Sequence, residues 1–234
     1  TGCVQDAMSP QINAATIRVL DALGIQTITR SNSGCCGAVS HHLGATDEAL
    51  GFMRRNIDAW WPDIQQGAEA VVVTASGCAP MVKDYAQLLA NDAAYADKAR
   101  HISQLAKDIS EVIAAEDFMT VIRQTAGEQK IAFHSPCTLQ HAQRITGSVE
   151  QILEQAGYTL TSVSDSHLCC GSAGTYSILQ AELSGRLRDN KLAALQAGQP
   201  DMIATANIGC LTHMASHAEV PVKHWIEYLD TLIP

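Results

Sequence analysis

The eight cysteines of this 234-residue chain form two sets with nearly the same internal spacing. In each set a single cysteine precedes a Cys-Cys-Gly triplet by 32 positions. A further cysteine follows the second cysteine of the triplet by 42 positions in one set and by 40 in the other. This internal repeat predicts two similar structural units. The first set is Cys3, Cys35, Cys36 and Cys78, and the second is Cys137, Cys169, Cys170 and Cys210.

The sequence around the cysteines repeats as well. The stretch "VVVTASGC" (71–78) parallels "MIATANIGC" (202–210), and "VLDALGIQTIT" (19–29) parallels "ILEQAGYTLTS" (152–162). We therefore expect a first unit over 1–95, a helical connector over 96–128 and a second unit over 129–234. The chain has no room for a strand before Cys3, so we expect the first strand of the first unit to lie upstream of this piece.

Hydrophobic periodicity and glycine positions predict an α/β fold. Short apolar or β-branched runs predict strands, and longer amphipathic runs that end in glycine predict helices. Strands alternating with helices favour a small parallel sheet flanked by helices in each unit. The carboxyl ends of parallel strands meet at one edge of a sheet, so we expect the cysteines to converge there. The predicted strands are 130–137, 158–164 and 201–206, and the predicted helices are 13–24, 47–67, 148–157 and 182–198.

Composition argues against some classes of partner. The formal net charge of −9 disfavours binding to nucleic acid or to an anionic membrane surface. No apolar run reaches the roughly 18 residues that a membrane-spanning helix needs. Charged residues make up 17% of the chain, which is low for a globular protein and indicates a compact body with some surface reserved for a partner or cofactor.

Four converging thiols per unit are compatible with several kinds of chemistry. Disulfides are typical of small secreted scaffolds, and this chain is larger and rich in aliphatic residues. Soft thiolate ligands favour zinc or iron–sulfur clusters. Structural zinc usually uses C-x₂₋₄-C pairs, which neither set contains, so the spacing favours an iron–sulfur centre. Zinc, redox-active thiols and inert buried thiols remain as alternatives at this stage.

Longer motifs then resemble a known family. The repeated C-x₃₁-CCG pattern resembles the cysteine-rich CCG domain found in the catalytic subunit of heterodisulfide reductase. Over nearly the whole chain the sequence resembles the glycolate oxidase iron–sulfur subunit family. The motifs that carry this resemblance are "RNIDAWWPDIQQGAEAVVVTASGC" (55–78), "PCTLQHAQ" (136–143), "DSHLCCGSAGTYS" (165–177), "LRDNKLAAL" (187–195) and "TANIGC" (205–210).

The resemblance implies an electron-transfer subunit of a glycolate oxidase complex that is not itself catalytic. Flavin-containing subunits with FAD would oxidise glycolate, and electrons would pass through iron–sulfur clusters, expected to be [4Fe–4S], to a quinone or another acceptor. An amino-terminal ferredoxin-type module, which the family carries and this chain lacks, would be a further partner. The resemblance also implies a cytoplasmic location, at the inner face of the bacterial membrane through the complex.

One departure concerns the cluster type. The heterodisulfide reductase pattern has a fifth cysteine in each set, where this chain has Met81 and His213. Thioether is a poor iron ligand, whereas imidazole binds iron and zinc, so His213 is a candidate additional ligand in the second set. The other hypothesis is a structural or interaction module of the same complex, with zinc or with empty cysteine sites.

Overall fold

The computed structural model describes residues 2–234, and it consists of short parallel strands surrounded by helices. The strands are β1 (Val71–Val73), β2 (Ala106–Asp108), β3 (Lys130–His134), β4 (Thr159–Leu160), β5 (Met202–Thr205) and β6 (Val222–His224). The helices are α1 (Cys3–Met8), α2 (Pro10–Ala22), α3 (Ala38–His42), α4 (Thr46–Gln65), α5 (Ala79–Lys83), α6 (Tyr85–Leu88), α7 (Ala96–Leu105), α8 (Ile109–Ala115), α9 (Ser148–Gln155), α10 (Tyr176–Leu179), α11 (Ala181–Gln196), α12 (Ile208–Ala215) and α13 (Trp225–Asp230). A 3₁₀ turn covers Phe118–Thr120, and a π-helical turn covers Thr138–Ala142.

Local sequence explains where the main helices begin and end. Pro10 opens α2, where its fixed φ suits the first turn and its missing N–H costs nothing. Gly24 follows α2 with a φ of 78°, a left-handed conformation that glycine adopts without strain. Asp47 and Glu48 lie in the first turn of α4, where their charges complement the helix dipole. These residues therefore place both ends of α2 and the start of α4 close to the predicted positions.

All strand pairs are parallel, which confirms the predicted fold class. One sheet contains β1 and β2, with Val71 opposite Ala106. The other has the strand order β4-β3-β5-β6, with His134 opposite Thr205 in the central pair. Cys78, Cys137 and Cys210 each follow the carboxyl end of a strand within a few residues. The topology therefore brings these cysteines to the edge of the sheet where the strands end.

The two sheets share one hydrophobic core. The largest buried cluster combines residues of α2 and α8 with residues of the four-stranded sheet and of α9 and α13. Helix α2 packs directly against α13. Burial of this surface contributes about 25 cal/mol for each Å² of apolar area removed from water. Two smaller clusters lie under the two cysteine loops. The two units therefore repeat one another in sequence but pack around one shared core.

The segment predicted to be a helical connector, 96–128, contains a strand as well as helices. Strand β2 pairs with β1, and α8 follows it directly. The arrangement of β6 and α13 after β5 is the same, so residues 106–115 repeat the pattern of residues 222–230. Periodicity did not reveal β2, because three residues are too few to show it. The predicted boundaries at 95 and 128 stay a prediction.

The segment 25–30 before Cys35 has irregular structure, although its sequence parallels that around β4. In the second unit, β4 pairs with β3. Among the described residues, no strand pairs with 25–30 in this way. Strand β4 itself spans two residues rather than the predicted 158–164. A β-branched sequence forms a strand only where a neighbouring strand supplies hydrogen bonds. Within residues 2–234, no helix is long and apolar enough to span a bilayer.

Candidate metal centre

The first cysteine set is brought together by three segments of the chain. Cys3 begins α1, Cys35 and Cys36 lie in the loop before α3, and Cys78 directly precedes α5. The side chains form a continuous series of contacts, from Cys3 to Cys35, from Cys35 to Cys36 and from Cys36 to Cys78. All four are free thiols. We name this group the first cysteine cluster.

The second cysteine set forms the same series of contacts. Cys137 contacts Cys169, Cys169 contacts Cys170, and Cys170 contacts Cys210. These four thiols are also free, and Cys170 and Cys210 are buried. We name this group the second cysteine cluster. The order of contacts matches the first cluster residue by residue, so the sequence repeat is a repeat of site geometry.

These contacts lower the pKa values of some thiols and raise those of others. A hydrogen bond from Cys36 holds the pKa of Cys78 below its ordinary value. Hydrogen bonding to Cys36 and then burial raise the pKa of Cys35. In the second cluster, a hydrogen bond from Cys137 lowers the pKa of Cys169, and the same contact raises that of Cys137. In each cluster these contacts therefore favour ionisation of one thiol over that of a neighbouring thiol. A soft cation that replaces the shared protons would allow all four to ionise.

The glycine after each doublet holds the loop in a conformation that other residues avoid. The φ angles of Gly37 and Gly171 are 90° and 89°. The N–H of Gly37 donates to the Sγ of Cys35 at 3.4 Å, and the N–H of Gly171 donates to the Sγ of Cys169 at 3.3 Å. A Cβ on Gly171 would lie 2.4 Å from the carbonyl oxygen of Ser184, and one on Gly37 would lie 3.0 Å from that of Ala49. Only glycine fits both the backbone conformation and this close approach.

The carbonyls of Ala49 and Ser184 occupy equivalent places, since each lies against the glycine of a doublet. Asn56 of α4 and Lys191 of α11 each lie seven residues after these carbonyls, so they are equivalent as well. Both side chains are almost fully buried, with exposed fractions of 0% and 3%. Both bind the backbone of the loop before the doublet, so each acts as its anchor.

In the first unit the anchor is a neutral amide. The Nδ2 of Asn56 donates to the carbonyl oxygen of Cys35 at 2.8 Å, and its Oδ1 accepts from the N–H of Gly34 at 2.8 Å. The hydroxyl of Tyr85 donates to the carbonyl oxygen of Cys36 at 3.0 Å. Two buried polar side chains therefore fix the loop without adding a charge.

In the second unit the anchor is a cation. The Nζ of Lys191 donates to the carbonyl oxygens of Asp165 at 2.9 Å and Ser166 at 3.3 Å. Burial lowers the pKa of Lys191, and its charge acts on Cys170 and the neighbouring cysteines of the second cluster. A buried ammonium beside several thiols offsets the negative charge that they acquire on ionisation. The motif "LRDNKLAAL" contains this lysine, but its sequence gave no sign that the side chain points inwards.

A histidine at the end of strand β3 lies beside the second cluster. A ring nitrogen of His134, the last residue of β3, lies within 4.8 Å of the Sγ atoms of both Cys170 and Cys210. The Nδ1 of His134 is 2.9 Å from the Oγ1 of Thr205, and burial lowers the pKa of the ring to about 3. By contrast, the Nε2 of His213 lies 3.1 Å from the Oγ of Ser184. The role of His213 as a ligand stays a prediction. For His134, the sequence gave one indication of a place near the cluster, namely its position three residues before Cys137.

The two clusters are linked by a short hydrogen-bonded bridge. The N–H of Gly77, next to Cys78, donates to the Oδ1 of Asn207 at 3.2 Å. The Nδ2 of the same amide donates to the Sγ of Cys210 at 3.5 Å. The N–H of Ser76 also donates to the carbonyl oxygen of Ala206 at 3.0 Å. The loops after β1 and β5 therefore meet, and one amide side chain joins the backbone next to Cys78 to the thiol of Cys210.

The donor atoms of the clusters fit a soft metal centre. Each cluster offers four thiols, and backbone N–H groups already point at sulfur in both. Thiolates of this kind suit iron–sulfur clusters and zinc. The fold and the two clusters define a tandem α/β protein in which each half carries one four-thiol site at its strand ends.

Comparison with known families agrees with this class. The CCG family, described as "Cysteine-rich domain", matches residues 1–83 and 131–215, which together contain all eight cysteines. The chain belongs to the CCG cysteine-rich domain family. The family resemblance derived from the sequence motifs is confirmed.

Individual relatives extend the comparison. The chain is 55% identical over 98% of its length to the "Glycolate oxidase iron-sulfur subunit" of Escherichia coli, and covers 56% of that protein. It is 30% identical over 92% of its length to the "Probable glycolate oxidase iron-sulfur subunit" of Bacillus subtilis, and covers 48% of it. It is 26% identical over 98% of its length to "Lactate utilization protein A" of Bacillus licheniformis, and covers 96% of it. The chain thus spans about half the length of the two glycolate oxidase relatives.

Proposed function

We propose that this chain is the cysteine-rich part of an iron–sulfur subunit in a glycolate oxidase complex, and that it relays electrons. The observation that carries the proposal is the convergence of two equivalent four-thiol clusters at the strand ends. The similarity to the Escherichia coli subunit supports the same role. The chain itself would bind no glycolate, and the oxidation of the 2-hydroxy acid would take place on flavin-containing subunits with FAD.

The eight cysteines would hold the clusters, with Cys3, Cys35, Cys36 and Cys78 at one site and Cys137, Cys169, Cys170 and Cys210 at the other. Four thiolates per site match the number that a [4Fe–4S] cluster requires. When bound, such a cluster accepts and releases single electrons. The chain supplies the thiolates, directs the N–H groups of Gly37 and Gly171 at sulfur, and places Lys191 beside the second site. Hydrogen bonds to sulfur and nearby charge are the main means by which a protein adjusts a cluster's potential.

The partners would be the flavin-containing subunits, a ferredoxin-type module and a quinone or other electron acceptor. The complex would lie in the cytoplasm at the inner face of the membrane. The net charge of −9 speaks against nucleic acid as a partner. These assignments extend the role of the whole subunit to this chain.

The decisive experiment is a metal and sulfide analysis of protein prepared without oxygen. We expect iron and acid-labile sulfide in both clusters, with a visible absorbance band near 400 nm. Cys78→Ser should remove the iron of the first site alone, and Cys210→Ser that of the second site alone, because each site has its own four ligands. Met81→Leu is the matched control, since a thioether next to the first site should not hold iron. Iron loss in this control equal to that in Cys78→Ser would contradict the assignment of ligands.

A second candidate function has a specific observation in its favour. The ligand atoms of His134, Cys170 and Cys210 lie close enough together to hold a single metal ion. Zinc binds such mixed sulfur and nitrogen sets, and would make the second unit a structural module of the complex. Zinc without sulfide in anaerobically prepared protein would support this alternative over the electron-transfer role.

A further inference from the structure

The second cysteine cluster contains a histidine whose position no cysteine motif indicates. His134 is 2% exposed and ends β3, three residues before Cys137. One of its ring nitrogens and the Sγ atoms of Cys170 and Cys210 all lie within 4.8 Å of one another. Such a spacing allows the three atoms to bind one metal ion, because metal–sulfur and metal–nitrogen bonds are about 2.3 Å and 2.0 Å long.

A hydrogen bond orients the imidazole for this role. The Nδ1 of His134 is 2.9 Å from the Oγ1 of Thr205, the residue paired with it in the neighbouring strand β5. Histidines that bind metals commonly use one ring nitrogen for the metal while the other is held by a polar partner. The hydroxyl of Thr205 is buried, so the sheet itself fixes the direction of the ring. This arrangement leaves Nε2 as the nitrogen available to a metal.

The first cluster differs in this respect. Among residues 2–234, no histidine joins Cys3, Cys35, Cys36 or Cys78 in a group of the same spacing. Two buried polar side chains beside it, those of Asn56 and Tyr85, are hydrogen-bonded to backbone carbonyls of the doublet. Among the residues that the structure describes, a buried nitrogen donor of this spacing is therefore found beside the second cluster.

We propose that His134 is a nitrogen ligand of the metal centre in the second site, together with the thiolates of Cys170 and Cys210. The second site thus takes a soft transition metal through a mixed nitrogen and sulfur set. This inference deepens the proposed function in that it rests on the second cluster holding a metal. With a single divalent ion, His134 would join Cys170 and Cys210 on that ion, and with an iron–sulfur cluster it would be a fifth protein ligand beside the four thiolates.

The test uses Co²⁺ as the probe on the full chain, reduced and free of oxygen. Cys36→Ser and Cys78→Ser are introduced together as the background, so that only the second site is retained. We expect one Co²⁺ per chain with thiolate charge-transfer bands and a tetrahedral ligand-field band. His134→Cys should keep the binding, shift the ligand-field band to longer wavelength and strengthen the charge-transfer bands, because sulfur replaces nitrogen. An unchanged spectrum in His134→Cys would overturn the inference.

Two further measurements keep the result independent of folding and of the proposed function. His217→Ala is the matched control, and it should leave the Co²⁺ spectrum unchanged, since His217 is exposed and its Nδ1 lies 2.8 Å from the Oγ of the neighbouring Ser216. In iron-loaded protein, pulsed electron paramagnetic resonance should show directly coordinated nitrogen that disappears in His134→Cys. An iron–sulfur centre without this nitrogen would refute the ligand role of His134 and leave the electron-transfer role intact. Failure to form any iron–sulfur centre would refute the electron-transfer role, and the Co²⁺ spectra would still decide the ligand.

Discussion

The two cysteine clusters have the same order of thiol contacts but are held by different anchors. Asn56 fixes the loop of the first cluster through a neutral amide, whereas Lys191 fixes that of the second through a buried ammonium. The two residues lie seven positions after equivalent carbonyls, those of Ala49 and Ser184. The comparison shows that the geometry of a thiol site and its electrostatic environment are set by separate residues. A duplicated site can therefore keep its ligands while its charge diverges.

The largest expected effect on stability comes from the doublet glycines. Gly171→Ala should destabilise the chain by about 4 kcal/mol, because the new Cβ meets the carbonyl oxygen of Ser184 and the left-handed φ is strained. Gly37→Ala should cost about 2 kcal/mol, since its contact with Ala49 is less severe. Urea unfolding under anaerobic, reducing conditions measures both. Equal losses of stability in the two variants would show that the close approach of the Cβ matters less than the positive φ. Gly44 has a positive φ and open space around it, so Gly44→Ala measures the contribution of φ alone.

The helix caps provide a second comparison between the units. Asp108 caps α8, and its Oδ1 accepts from the N–H of Ser110 at 3.0 Å. His224 caps α13 at the equivalent place, with its Nδ1 accepting from the N–H of Ile226 at 3.3 Å. Burial lowers the pKa of His224 to about 4, whereas burial raises the pKa of Asp108. The two caps therefore respond to pH in opposite senses.

The lowered pKa of His224 sets the direction in which the stability of the fold changes with pH. The unfolded chain binds a proton near pH 6.5 and the folded chain only near pH 4, so stability falls as pH decreases through this window. The loss approaches about 1.4 kcal/mol for each pH unit between the two pKa values and is smaller near each of them, so it amounts to about 2 kcal/mol between pH 6.5 and 4.5. His224→Asn retains a capping side chain and should reduce the pH dependence by this amount. Urea midpoints at the two pH values measure it, and a slope in His224→Asn equal to that of the unchanged chain would contradict the assignment.

The anchor of the second site should show an effect of intermediate size. Lys191→Met retains most of the side-chain volume but leaves the carbonyl oxygens of Asp165 and Ser166 without their donor. We expect a loss of about 2 kcal/mol in stability, which is typical of a charged hydrogen bond. In metal-loaded protein, the reduction potential of the second site should also fall, since a positive charge beside it is lost. A fall at the first site instead would contradict the placement of this charge beside the second cluster.

The smallest expected effect concerns the tyrosine of the first site. Tyr85→Phe removes the hydrogen bond to the carbonyl oxygen of Cys36 and keeps the ring in the core. We expect a loss of about 1.5 kcal/mol, because two neutral hydrogen bonds are removed: the hydroxyl also accepts from the Nδ2 of Asn56 at 3.1 Å. Chemical denaturation measures the change. A matching change in the metal content of the second site would show that the two loops are more strongly coupled than their separate anchors indicate.

The sequence by itself determined the repeat, the parallel α/β class and the eight cysteines that converge. The spacing of Cys-Cys-Gly triplets and the alternation of short strands with helices are local patterns, so they can be recognised without the fold. The helices predicted at 13–24, 47–67, 148–157 and 182–198 correspond to α2, α4, α9 and α11. The sequence shows a glycine after each doublet, whereas its left-handed φ is a finding of the structure.

Only the tertiary structure decided which polar side chains face the thiols. The sequence favoured His213 because it stands three residues after Cys210, yet the pairing of β3 with β5 brings His134 to that cluster. The equivalence of Asn56 and Lys191 appears only when helices α4 and α11 are seen to pack over the two doublets. These contacts join residues far apart in the chain, and their positions depend on strand register and helix packing. Neither is encoded in the spacing of any single motif.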